Sequence, residues 1–351
     1  MFDKGKTTVL ILPLLAMHDE YYSRAKSSRI TCERWSIGSS PATAPQLLLV
    51  AVEAGGWDHL QIYINTLIRM GQLARLVVDE AHLLLKHTDF RPCVGMLKYF
   101  GHLPVPIVLI TATLPQHLEK KLFDQLGRRT YRVLRRTTER PEIVHRMVAT
   151  GQTNFEAKVA AQILDLTCHL AENERMLLFC LSRPECDRMA ALLKWPAYHS
   201  DISLAMRASH LHQWRQGIVI GMACTAMLNC CLDYPSVRYA FHLGIPRDSV
   251  DFWQAIGRVS RDGQGGESIV YFNPAKCRKI RGQDDFGEAA IHETLRDNSV
   301  CRPYRILQFL DGHAKPCMMH SNGRLCDVCE AGTRLSSSDS KQRRTLYTPP
   351  A

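Results

Sequence analysis

No apolar run in this sequence is long enough to cross a bilayer. The stretch from Val9 to Met17 stops well short of the roughly 20 residues a spanning helix needs. No small-residue cleavage site follows it, so neither a membrane span nor a signal peptide is expected. Internal repeats are lacking too, and the two halves resemble each other only in architecture. Nor do the thirteen cysteines read as a disulfide framework. Cys180, Cys224, Cys230 and Cys231 lie inside apolar runs, where a reduced cysteine behaves as a small hydrophobe. That usage points to a reducing, intracellular compartment.

What is present bounds the architecture. With 351 residues, 46% of them hydrophobic and 22% charged, the chain can bury two cores and carry an accessory piece. The net charge of +10 suits a polyanionic partner, because neutralising phosphates releases counterions and supplies sequence-independent affinity.

Short apolar runs alternate with amphipathic stretches. Strands are expected at 7–12, 47–52, 74–78, 107–110, 176–180, 218–223, 238–243 and 268–272, with helical spacing at 57–70, 154–170 and 184–193. This alternation predicts an α/β fold whose parallel sheets are covered on both faces. In such sheets the ligand-binding groups gather at the carboxyl ends of the strands. The basic segment Arg128 to Arg140 reads as the joint between two lobes, either as a solvated edge strand and linker or as a phosphate contact. The polar, proline-ended text from Ser336 is expected to be disordered.

Four constellations carry chemistry. Val77 and Val78 run into Asp79, Glu80, Ala81 and His82; adjacent carboxylates at a strand end suit one acid that holds a nucleotide's magnesium and one that polarises water. Acids there can equally cap the next helix. The run Ile107 to Ile110 ends in Thr111, Ala112 and Thr113, either a hydroxyl-bearing strand end or a helix cap ahead of Pro115. Gln254, Gly257, Arg258, Arg261, Asp262 and Gly263 form Q-x-x-G-R-x-x-R-D-G. Two arginines one helical turn apart would face the same way, and guanidinium suits charge on a transferring phosphoryl group; a solvated basic helix end is the alternative. Cys301, Cys317, Cys326 and Cys329 offer four thiolates, two of them in a C-x-x-C knuckle, as a tetrahedral zinc site requires. His313 and His320 are possible substitute ligands.

Taken in order, these residues resemble the RecQ helicase family, particularly its divergent fungal members, and the DEAH spelling resembles superfamily-two helicases. The resemblance also runs through Pro13 to Ala16, Asp89 to Pro92, Arg140 with Pro141, LLFCLSRPECDRMAALL from Leu177, AYHSDIS from Ala197 and LDYPSVRYAFHLGIPRD from Leu232. It covers roughly residues 7 to 332. It implies two RecA-like lobes, 1–140 (incomplete) and 141–290, a zinc module at 291–333 and a tail at 334–351. By the same resemblance, ATP with Mg²⁺ binds between the lobes of a nuclear, monomeric 3′–5′ DNA helicase active in repair and recombination. Asp79, Glu80 and His82 would be catalytic together with Arg258 and the arginine finger Arg261. Asp233 and Gly257 would also touch nucleotide, and Thr111, Thr113 and Gln254 would couple the site to DNA.

Three departures stand against it. Gly5, Lys6 and Thr7 imitate the end of the phosphate-binding loop G-x-x-x-x-G-K-[ST], but only four residues precede Gly5, and the segment aligns better with the following motif. Lys6 is therefore not expected to be the phosphate lysine, and the first lobe reads as truncated. Asn229 and Cys231 replace glycines whose permissive backbone the family uses there. The loop after the DEAH box, LLLKHT, lacks the usual tryptophan.

Overall fold

The structure, a computed structural model, describes residues 5–13, 16–38, 44–52, 56–86, 98–128, 130–151, 153–230 and 232–334. Asp89 to Pro92, Leu14 with Leu15, Cys231 and the tail from 335 onward lie outside them. The chain forms two units, Met1–Arg136 and Thr137–Ala351. The division falls inside the basic segment, whose described residues from 130 to 140 form neither helix nor strand.

Unit 1 is built on five strands, β1 (Thr7–Leu12), β2 (Cys32–Arg34), β3 (Leu47–Ala51), β4 (Leu73–Val78) and β5 (Ile107–Leu109). They lie in the order β2-β3-β1-β4-β5, and every pairing is parallel. Both TTVLIL and LLLVA are buried along their whole length, the pattern of strands covered on both faces. After β1 the chain turns through helix α1 (Ala16–Ser27) toward β2, whereas after β4 it runs the other way to β5. The neighbouring pair β1 and β4 is therefore a topological switch point, and a crevice opens there beyond the strand ends.

Unit 2 carries six strands, β6 (Ile143–Ala149), β7 (Arg175–Cys180), β8 (Ala197–Tyr198), β9 (Gly221–Cys224), β10 (Val237–Leu243) and β11 (Gly266–Phe272). Their order is β6-β11-β10-β7-β9-β8, again all parallel. Alternation along β7 divides the core: Leu177 and Phe179 join one cluster, while Met176, Leu178 and Cys180 join the other. Each face of the sheet thus has its own apolar layer. Ser182 caps the helix Arg183–Leu193 by accepting from the Glu185 amide, with Pro184 in its first turn. Asp248 caps Ser249–Ile256 by accepting from the Asp251 amide.

The apolar runs expected as strands all form strands, the first with the expected bounds and the others with at least one end displaced by up to three residues. The run placed at 218–223 begins only at Gly221, because Gly217 caps the preceding helix at φ 77° and leaves Ile218 exposed. Strands β2, β6 and β8 were not expected. Arg334, placed in the tail by sequence, is helical together with residues 327–333.

Candidate functional sites in the two units

In unit 1 the DEAH residues sit at the switch point. The Asp79 amide donates to Ile11 O at 3.0 Å, extending the β1–β4 ladder one residue past β4. Glu80 then takes φ 48°, a left-handed conformation that costs a non-glycine residue about 1 kcal/mol or more. The Ala81 amide donates to Ile110 O at 2.9 Å, which turns the chain across to the end of β5. The His82 ring is buried, with Nδ1 2.9 Å from Thr111 Oγ1 and 3.4 Å from Glu80 Oε2. Thr113 donates its amide to Thr111 Oγ1 at 3.4 Å, and its own hydroxyl is buried without a partner among the described residues. Glu80, His82, Thr111 and Thr113 thus form one continuous polar chain from the acidic turn to the neighbouring strand end.

Sequence reasoning missed Tyr21. From α1 its phenol donates to Asp79 Oδ2 at 2.5 Å, while Asp79 Oδ1 accepts from the Glu80 amide at 2.9 Å. Burial, and then the Asp79 carboxylate, push the Tyr21 phenol well above its ordinary value, so it remains a donor. Lys6 is exposed just before β1, at the amino end of the sheet. Asp79 lies at the carboxyl end, so Lys6 stands at the wrong end of the strand to accompany it.

In unit 2 the helix Ser249–Ile256 ends before the arginines. Arg258 and Arg261 lie in turns, which corrects the expectation that one helical turn separates them. They nonetheless converge on one segment. Arg258 Nη1 donates to Leu232 O at 2.5 Å, and Arg261 pairs with Asp233. Ser260, buried at φ 52°, turns the chain between them. Arg140 braces it by donating to Val259 O at 2.7 Å and Ser260 O at 3.0 Å. Gln254 is buried inside the helix, its Nε2 without a partner among the described residues. Gly257 follows in ordinary helical conformation. The side chain of Asn229 lies outside what the structure describes.

The four cysteines converge as well. One potential ligand atom from each of Cys301, Cys317, Cys326 and Cys329 lies within 4.8 Å of the others, and all four residues are buried. Neither His313, bonded to Asp311 O, nor His320 joins the cluster. Cys301 precedes the helix Arg302–Asp311, Cys317 opens a short 3-10 turn, and Cys329 lies on the helix 327–334. Amides point at sulfur: Cys317 N to Cys301 Sγ at 3.2 Å and Cys326 N to Cys317 Sγ at 3.4 Å. Hydrogen bonds from the Cys301 and Cys317 thiols hold the Cys326 thiol well below its ordinary range. A buried set of four sulfurs fits a tetrahedral thiophilic metal at about 2.3 Å per bond. Arg302 clamps the set with a two-point bond to Asp327, at 2.8 and 3.0 Å, and Asp327 also accepts from the Met147 amide of β6.

Residues 158–263 match the helicase conserved C-terminal domain. The ATP-dependent helicase SGS1 of Saccharomyces cerevisiae is 25% identical over 78% of this chain and 20% of its own length. The RecQ-like DNA helicase blm-1 of Caenorhabditis elegans is 22% identical over 92% of this chain and 36% of its own. The ATP-dependent DNA helicase Q-like 2 of Arabidopsis thaliana is 27% identical over 96% and 51%. The chain therefore spans from a fifth to about half the length of these relatives. Among solved structures, Mycobacterium smegmatis helicase Lhr bound to ssDNA and AMP-PNP aligns at TM-score 0.59 and 17% identity, over 84% of this chain and 43% of that one. S. cerevisiae Dbp5 bound to RNA and ADP BeF3 aligns at 0.60 and 15% identity, over 83% and 75%. These likenesses establish the fold of two parallel-sheet α/β lobes.

Proposed function

We propose, for a chain that carries a helicase C-terminal domain and is related over most of its length to RecQ-type DNA helicases, that it is the motor portion of an ATP-dependent 3′–5′ DNA helicase acting in the nucleus in repair and recombination. We propose further that these 351 residues by themselves grip DNA, as a monomer, but turn over ATP poorly. The observation that carries the reading is the polar chain Glu80–His82–Thr111, which joins the acidic turn to the hydroxyl-bearing end of β5 as a coupled ATPase requires.

In this reading Asp79 holds magnesium and Glu80 orients the attacking water. Both are partly exposed beyond the end of β4, which suits a hydrated oxygen-liking cation. The magnesium, when bound, would offset phosphate charge. His82, Thr111 and Thr113 relay the state of the acidic turn, with Gln254 in the same coupling role. Arg258 and Arg261 supply positive charge for the phosphoryl group; Asp233 holds Arg261 until then, and Asp233 and Gly257 touch nucleotide beside them. The four cysteines hold zinc.

No glycine cradle of the form G-x-x-x-x-G-K-[ST] occurs among these residues. Each missing donor of that kind commonly costs a factor of about 100 to 1,000 in rate. DNA-stimulated phosphate release by the 351-residue chain should therefore be negligible. Turnover above roughly 1 per second, a rate typical of phosphoryl-transfer enzymes, that disappears in Glu80→Gln would overturn the impairment. A second reading, a DNA-binding protein without any nucleotide step, is favoured by Asn229 and Cys231 in place of glycine. It would be selected if DNA binding persisted while Mg·ATP binding was wholly absent.

A further inference from the structure

Asp79 is held on both oxygens before any cation arrives. Oδ1 accepts from the Glu80 amide at 2.9 Å, and Oδ2 accepts from the Tyr21 phenol at 2.5 Å. The backbone amide of Asp79 is tied to Ile11 O, so both the backbone and the carboxylate of this residue have partners. The tyrosine reaches it because α1 leaves β1 at the switch point, directly beside the end of β4. Tyr22, one residue on, is engaged elsewhere: its ring lies under Arg34 at 4.5 Å and Lys26 at 5.3 Å. A short hydrogen bond from a neutral hydroxyl to a carboxylate is charge-assisted and directional, and each carboxylate oxygen keeps a further lone pair for a metal.

We propose that Tyr21 is a positioning residue that fixes the Asp79 carboxylate for a divalent cation. The proposal rests on the reading of Asp79 as the magnesium carboxylate. Partners of this kind set the orientation of a metal-binding side chain, and removing one commonly lowers metal affinity by a factor of about 10 to 100.

The test uses the full chain and Mn²⁺, an oxygen-seeking paramagnetic stand-in for magnesium, with free Mn²⁺ followed by electron paramagnetic resonance. Tyr21→Phe should weaken Mn²⁺ binding about 10- to 100-fold. Tyr22→Phe should leave it unchanged. In the unaltered chain, Mn²⁺ should produce a tyrosine difference absorption that is absent in Asp79→Asn, a readout that stands even if Tyr21→Phe fails to fold. Unchanged or tighter binding in Tyr21→Phe would overturn the positioning role, as would saturating Mn²⁺ with no tyrosine signal. Undiminished binding in Asp79→Asn would instead remove the cation from Asp79 and with it the reading on which the proposal rests.

Discussion

His242 is buried between Phe179, stacked at 5.2 Å, and Phe252, edge-on at 4.9 Å. Burial, and secondarily His145, lowers its pKa to about 3. The unfolded chain would protonate it near pH 6.5, so between about 6.5 and 3 the unfolded state binds the extra proton. Stability conferred by the neutral ring is complete above pH 6.5 and drains away as pH falls toward 3. Replacing His242 with Phe should flatten that slope, measured as urea midpoints across the interval; an unchanged slope would mean that the ring is not the group titrating. Other residues act through partners far away in sequence. Arg140 serves the turn at Val259 and Ser260, Arg302 serves Asp327, and Tyr21 serves Asp79. None of these pairings could be read from the chain, because a lone arginine or tyrosine carries no local mark of a partner.

At the level of elements, continuous apolar runs were enough to locate β1, β3 and β7, since a strand covered on both faces has no polar position to interrupt it. Strand β6 was hidden because His145 and Arg146 break its run. The structure accommodates them by stacking His145 on Trp253 and pairing Arg146 with Glu267 and Glu330. Gly221, at the start of β9, meets the Trp195 ring, and a Cβ there would lie 2.2 Å from ring carbons. Gly221→Ala should therefore cost about 1–3 kcal/mol or more, read as a lowered urea midpoint with unchanged slope. The cysteine cluster was legible from its spacing together with its place behind the helicase-like motifs, although the Arg302–Asp327 clamp beside it was not. One zinc per chain is expected, and chelation should lower thermal stability, since metal binding and folding are coupled in such modules. Metal analysis well below one zinc per chain, with all four thiols freely titratable, would contradict it.

At the scale of the whole molecule, two all-parallel units carry residues that a DNA motor would use, each at its own strand ends. The order of motifs made the two-lobe architecture readable. The link from His82 to Thr111 was not, because it depends on β4 and β5 lying side by side. A net charge of +10 bears on the molecule as a whole and on its partner. If the chain tracks phosphates, its affinity must fall as salt rises, with little regard to base sequence. The most direct measurement is fluorescence anisotropy of single-stranded DNA of two unrelated sequences, titrated with the 351-residue chain at several salt concentrations between about 50 and 200 mM. Both DNAs should bind with similar affinity, weakening by an order of magnitude or more across that range if several phosphates are neutralised. Absence of binding, or affinity that stays constant with salt, would contradict the account.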